Sequence, residues 1–242
     1  MSRDRVPPYT SWGGSRTEVD NAGVRLRDYW LGSGGLSPDV EKALQIAWMY
    51  RAEFQSPLTK VVMGLRSFLK TEHAPVVVGQ RLKRTPTILD KLQRLPNMKL
   101  TRMQDIGGCR AILPAGNHHL IDQLRARIEK RDWDVQQVYD YIATPKASGY
   151  RGVHIVVLRD HRLIEIQLRT EAQHSWAETV ERLGSISGHN LKDGQGPNEL
   201  LLYLERAAYG TNLQELGQPL PDAFRREVAE LAKRAQPFLV RR

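Results

Sequence analysis

Two acids sixty residues apart, Asp105 and Glu165, are the groups in this 242-residue chain with the clearest chemical use. Asp105 opens the run Asp105-Ile106-Gly107-Gly108-Cys109-Arg110. Paired glycines at a strand start allow an irregular backbone that aims the carboxylate at a site. Asp105 and Arg110 face opposite ways in a regular strand, so a bend or bulge at the glycines is expected to let both serve one cleft. Glu165 lies in Leu163-Ile164-Glu165-Ile166-Gln167-Leu168-Arg169. Strict alternation puts Ile164, Ile166 and Leu168 on one face and Glu165, Gln167 and Arg169 on the other. The apolar set belongs in a core; the polar set suits a site or a solvated sheet face. Acids on neighbouring strands fit an Mg2+ site, because Mg2+ takes one or two protein carboxylates and leaves its other positions to phosphates and water.

Two cationic features accompany the acids. The run from Ala143 to His154 holds Pro145, Gly149 and Gly152 and reads as a loop between strands. Lys146 and Arg151 make it cationic, and Tyr150 offers a flat ring; stacking a base on such a ring is worth about 1–3 kcal/mol. An ordinary hairpin with a locally packed tyrosine fits the same residues. Arg81, Lys83, Arg84, Lys91 and Arg94 form the second feature, a set able to clamp a triphosphate or, equally, to line a solvated face. His174 and Glu178, four apart on a helix, read as a structural pair rather than a metal site. His118-His119 reads as a helix start without a role.

The elements that must position these groups follow from patterning. Residues 1–20 read as an irregular arm, and 19–30 as an amphipathic helix ended by Gly32-Ser33-Gly34-Gly35. Ser37-Pro38 caps a helix running to about residue 55, with Ala43, Leu44, Ala47 and Trp48 on its apolar face. A third helix follows Ser56-Pro57. Residues 76–83 read as a strand, and Thr85-Pro86 starts a short helix with Ile88, Leu89, Leu92 and Leu95 inward. On that helix Thr87, Lys91 and Arg94 share another face. Strands are expected over 105–113, 133–141, 153–158 and 163–169, with a helix over 118–130. Thr170 and Gln173 match a capping box. Residues 184–196 are Gly- and Ser-rich and predict a mobile loop, followed by two or three helices. The pattern predicts an α/β mixed sheet of about five strands flanked by helices. The expected divisions are an arm and helices over 1–74, a core over 75–196 and a helical extension over 197–242.

Composition narrows the partners. Lys and Arg total 36 against 27 Asp and Glu, a formal charge of +9, which favours phosphate-rich ligands. One cysteine, Cys109, excludes an internal disulfide and a cysteine-based zinc site. No stretch approaches the roughly 18 to 20 apolar residues of a membrane span, and the first residues lack a signal peptide's apolar run. A cytoplasmic protein without membrane contact is expected.

In their order the blocks are specific. Arg81-Leu82-Lys83, then Thr87-Ile88 with Lys91-Leu92 and Arg94, then Met103 to Arg110, then Pro145-Lys146 with Gly149-Tyr150 and His154, then Glu165 to Thr170 resemble the synthetase domain of the RelA/SpoT alarmone synthetases. The match covers about residues 75 to 185. The resemblance implies a fold distantly similar to nucleotidyltransferases. It implies transfer of the β,γ-pyrophosphate of ATP to the 3′-hydroxyl of GDP or GTP, releasing AMP. By the same resemblance Arg81 and Arg110 sandwich the adenine, and Lys83, Lys91 and Arg94 hold the ATP phosphates. Asp105 binds Mg2+, and Glu165 joins it or acts as the base. Tyr150 stacks on the acceptor base, Lys146 and His154 lie near acceptor phosphates, and Gln167 and Arg169 line the same face. Phosphoryl chemistry of this kind needs cations and alignment, with a carboxylate to activate a poor sugar-hydroxyl nucleophile.

The sequence holds no upstream His-Asp hydrolase signature and no long regulatory tail, so a small single-domain synthetase without hydrolase activity is expected. The segment from Glu171 to Glu178 departs from the aromatic-rich variant of other small members, leaving acceptor contacts from that helix open. Two other readings stand beside the first. Some small family members are toxins that pyrophosphorylate the 3′ end of tRNA, and the charge, the basic arm and Arg241-Arg242 lean towards RNA. A non-catalytic nucleotide- or RNA-binding module is the third, and the presence of both acids argues against it. Small synthetases assemble, so a homo-oligomer is a further expectation, and the flanking helices suit an antitoxin or another protein partner as well as plain core.

Overall fold

A computed structural model describes residues 13–32, 35–70, 76–130 and 133–238. Most of the amino-terminal arm, Ser33-Gly34, the expected boundary at 74/75 and Arg241-Arg242 lie outside the described residues. The helices are α1 (Arg16–Trp30), α2 (Pro38–Ala52), α3 (Gln55–Lys70), α4 (Thr85–Arg94), α5 (His118–Lys130), α6 (Glu171–Ser187), α7 (Asn198–Glu215) and α8 (Asp222–Ala235). The strands are β1 (Val77–Leu82), β2 (Gly107–Leu113), β3 (Asp134–Asp140), β4 (Val153–Arg159) and β5 (Arg162–Thr170). They form one mixed sheet in the order β1-β2-β5-β4-β3, and only the β2–β5 pair is parallel.

The alternation of β5 decides which face carries what. Ile164, Ile166 and Leu168 are fully buried, together with Ile155 of β4 and Ala111 of β2. Leu58, Val61, Val62 and Leu65 of α3 and Ile121, Leu124 and Ile128 of α5 complete that core. Glu165, Gln167 and Arg169 therefore point to the opposite face. Register holds them there: Glu165 pairs with Gly108, and Gln167 with Arg110 on one side and His154 on the other. A slip of one residue would send the whole polar row into the core.

Local signals explain the ends of the elements. Ser37 caps α2 with Pro38 in its first turn, and Thr170 with Gln173 forms the reciprocal capping box of α6. Ser15 caps α1, which starts earlier than its apolar pattern suggests. Helix α1 then clasps the segment leading to Asp105. Arg27 donates to the carbonyls of Leu92 and Met98 at 2.8 and 2.6 Å, and Asp20 accepts from the Thr101 amide.

Several expectations are corrected. Trp48 is 68% exposed, because the apolar contact face of α2 runs through Ala43, Ile46, Ala47 and Tyr50. Leu95 is exposed because α4 ends one residue before it. No bulge interrupts β2: Asp105 lies in the turn ahead of the strand, and pairing is regular from Gly107 onward. Gly107 serves close packing, since a Cβ there would meet Ile164 Cδ1 at 2.8 Å. Residues 184–196 do not form one open loop. Helix α6 continues to Ser187, and a 3-10 turn over Leu191–Asp193 buries Leu191. Leu191 joins a second small core with Val180, Leu200, Leu204 and Ala235. Burying such a leucine is worth about 1.5–3 kcal/mol.

Helix α7, which helps to form that second core, also braces the loop before β4. Gly149 takes φ +82°, and a Cβ on it would lie 2.7 Å from Ala208 Cβ and 3.0 Å from Glu205 Cα of α7. Gly149→Ala is therefore expected to cost about 1–3 kcal/mol in urea unfolding; a loss below about 0.5 kcal/mol would show that the loop does not rest on α7.

Candidate active site

Asp105 and Glu165 meet on the polar face of the sheet. Both line a cleft of about 300 Å³ together with Arg81, Lys83, Arg110 and Gln167, and they also line a neighbouring cleft of about 720 Å³. The larger cleft adds Lys91, Arg102, Gln104 and Tyr139. The acids thus stand at the boundary between two spaces, each large enough for part of a nucleotide.

The two carboxylates have different surroundings. Lys83 Nζ donates to Asp105 Oδ2 and Lys91 Nζ to Asp105 Oδ1, both at 2.8 Å. Burial works to raise the Asp105 carboxyl, but the two ammonium groups outweigh it and hold it down to about 2. Glu165 is held by neutral donors. Its Oε2 accepts from Gln167 Nε2 at 2.6 Å, and its Oε1 lies 3.0 Å from His154 Nδ1. Burial again pushes upward, and the His154 and Gln167 hydrogen bonds bring the carboxyl below its ordinary value.

His154 connects this acid to the tyrosine. Burial lowers its proton affinity, against the opposing pull of Glu165, so the ring is neutral near pH 7. An ionised Glu165 can only accept, which places the proton on Nδ1. His154 Nε2 then accepts from the Tyr150 hydroxyl at 2.6 Å, a phenol that burial pushes up to about 12. The chain of contacts continues from Glu165 through Gln167 to Arg169, whose Nη2 donates to Gln167 Oε1 at 2.5 Å.

The structure separates the expected site residues into groups. Arg81, Lys83, Arg110, Asp105, Glu165 and Gln167 share one cleft. Arg81 and Arg110 lie on adjacent strands, and burial, then Arg169 and Arg81, lower the proton affinity of Arg110. Lys91 reaches Asp105 from α4. Arg94 is turned to Asp193 at 2.7 Å. Tyr150 departs from the expected open stacking surface: it is fully buried, with the Arg169 guanidinium 4.9 Å and Lys146 Nζ 5.4 Å from its ring centroid. His174 pairs with Glu178 at 3.2 Å, as expected of a structural pair.

Sequence reading missed Tyr139, Tyr141, Gln104 and Lys192. The two tyrosines stack in parallel planes at 5.9 Å, and Lys146 Nζ lies 4.8 Å from the Tyr141 ring. Their spacing of two across the end of β3, beside a loop already singled out, was the available signal. Gln104 donates to Gln137 at 2.9 Å, and no pattern marks it.

Residues 80–183 match the model of the region found in RelA and SpoT proteins. The chain is 34% identical over 165 residues to the GTP pyrophosphokinase YjbM of Bacillus subtilis, covering 60% of this chain and 72% of that one. The chain belongs to the RelA/SpoT synthetase family. It is also 31% identical to the uncharacterized protein Rv1366 of Mycobacterium tuberculosis, over 86% of this chain and 71% of that one. The crystal structure of small alarmone synthetase 1 from Bacillus subtilis, bound to its product pppGpp, is similar at TM-score 0.56 and 29% identity. That likeness covers 68% of this chain and 90% of the other. The five-stranded sheet with its flanking helices is the fold of these small RelA/SpoT synthetases. Among the described residues no helix is long and apolar enough to cross a membrane.

Asp105 and Glu165 supply hard oxygen donors in a shared cleft, and no group of three or more His, Cys, Asp or Glu forms a protein-only cage among the described residues. Such a pair suits Mg2+ completed by phosphate and water.

A neutral His154 has a consequence for stability. The unfolded chain protonates it near its ordinary 6.5 and the folded chain only at lower pH, so stability falls as pH drops below about 6.5. His174 shifts in the same direction, and Asp105 and Glu165 extend the loss below their ordinary 3.8 and 4.5. His154→Asn is expected to reduce the slope of urea-unfolding stability between about pH 5 and pH 7; an unchanged slope would mean that the ring carries a proton in the folded protein.

Proposed function

We propose that this protein is an ATP-dependent pyrophosphokinase that forms a 3′-pyrophosphorylated guanosine nucleotide, (p)ppGpp, from GDP or GTP. The observation that carries the reading is the meeting of Asp105 and Glu165 in one cleft with Arg81, Lys83, Arg110 and Gln167, in a chain of the RelA/SpoT family. The guanosine acceptor is supported by the names of the relatives, a GTP pyrophosphokinase and a small alarmone synthetase bound to pppGpp.

In this reading Arg81 and Arg110 hold the adenine between guanidinium planes. Lys83 and Lys91, each on one oxygen of Asp105, stand where a phosphate chain beside that carboxylate meets both ammonium groups. Arg94 lies on the same helix as Lys91 and adds a donor further out. Asp105 and Glu165 would hold Mg2+, which when bound neutralises phosphate charge. Glu165 takes the proton of the acceptor's 3′-hydroxyl. The freed oxygen bonds the β-phosphorus of ATP. The bond from that phosphorus to the α,β-bridging oxygen breaks, and its electron pair leaves on AMP. Lys146, His154, Gln167 and Arg169 supply the polar wall against which the acceptor lies, and the buried Tyr150 backs that wall through its hydroxyl contact with His154.

Glu165 is the better placed of the two acids to take the proton. Both oxygens of Asp105 are bonded to cations, whereas those of Glu165 meet neutral donors. Glu165→Gln is expected to lower AMP release in the presence of ATP, Mg2+ and GDP by about 10²–10⁴-fold while the fold survives. A rate within about threefold of the parent would remove Glu165 from the reaction.

A further inference from the structure

The strap over residues 189–196 lies beyond the 80–183 match, yet it delivers one side chain into the cleft. Lys192 lines the same space as Arg81, Lys83, Asp105, Arg110, Glu165 and Gln167. Its Nζ lies 5.6 Å from the Tyr150 ring centroid, where Lys146 Nζ and the Arg169 guanidinium already stand at 5.4 and 4.9 Å. Three cations therefore surround one buried ring.

The strap is built to hold that position. Leu191 is 1% exposed in the second core, and the Ser148 hydroxyl donates to the Lys192 carbonyl at 2.9 Å. The neighbouring Asp193 accepts from Asn190 at 2.8 Å and pairs with Arg94. The 3-10 turn is thus tied both to the acceptor loop and to α4.

The charge at this point is unbalanced. Lys192 Nζ pairs with Glu181 Oε1 at 2.6 Å. Burial, together with Arg169 and Lys146, lowers its proton affinity despite that partner. Arg169 is 2% exposed, and among the described residues its Nε atom has no hydrogen-bond partner. Gathering like charges in a half-buried place costs free energy unless a polyanion joins them. A buried guanidinium with an unfilled donor asks for an oxygen acceptor.

We propose that Lys192 is an acceptor-binding residue, which together with Lys146 and Arg169 binds the phosphates of the guanosine nucleotide. The proposal deepens the functional reading above and rests on it for the identity of the nucleotide. The cation comes from the segment that follows the matched region 80–183.

Calorimetric titration with guanosine, GMP, GDP and GTP tests this directly, with an α,β-methylene ATP analogue as the donor control. Affinity of the parent should rise along the guanosine series. Lys192→Met should weaken GTP by about tenfold or more, leave guanosine and the ATP analogue nearly unchanged, and so flatten the series. Lys192→Arg should keep most of the parental slope, and it carries the test if the methionine variant fails to melt cooperatively. Unchanged GTP affinity, an equal loss for guanosine and GTP, a loss confined to the ATP analogue, or a parent that binds none of the series would each overturn the proposal. AMP release by the parent is measured alongside. Binding of the series without AMP release would sink the functional reading and leave the role of Lys192 standing; AMP release with unaltered binding in the variants would do the reverse.

Discussion

The parallel ladder between β2 and β5 is the constraint on which the rest depends. It sets Glu165 beside Gly108, three residues after Asp105, and so brings together two acids that are distant along the chain. The antiparallel ladders on either side then fix Arg81 and His154. Arg81 of β1 pairs with Gly108, and His154 of β4 pairs with Gln167. A parallel pair needs a long crossover connection, and here that crossover contains α5, β3, β4 and the loop that carries Lys146 and Tyr150. The connection required by the sheet is also the source of Lys146, Tyr150 and His154.

The electrostatics follow from that placement. Burying acids is costly unless each finds donors, and the two find different kinds. Asp105 is clamped by ammonium groups, Glu165 by an imidazole and an amide. Environments this different let two like side chains take separate roles. The buried His154–Tyr150 contact backs Glu165 from the far side, so the tyrosine is tied to the acid through one ring.

Much of this was legible in the sequence where a side-chain period met a known turn chemistry. The β5 alternation, the Ser37-Pro38 start and the Thr170/Gln173 capping box each matched the structure, because one local rule decides each. The family resemblance named Asp105, Glu165 and the cations, and the cleft gathers most of them. What local rules could not show was tertiary. Residues 184–196 look like a loop because Gly and Ser dominate, yet Leu191 finds a core made by α6, α7 and α8. Tyr150 looks like an open platform, yet neighbouring side chains close over it, and Gly149 beneath it rests on α7. Trp48 has a core residue's chemistry and an exposed position, because tertiary packing set the buried face of α2 along Ala43, Ile46, Ala47 and Tyr50.

Where the transferred group lands tests the central claim most directly. The protein would be given ATP labelled on its γ-phosphorus, Mg2+, and an equimolar mixture of GDP, GTP and tRNA, and the products separated. The account predicts label in a guanosine nucleotide carrying a 3′-diphosphate, with AMP released in equal amount. Label found in tRNA alone would contradict the guanosine acceptor, and no transfer with both acids intact would contradict the active site itself.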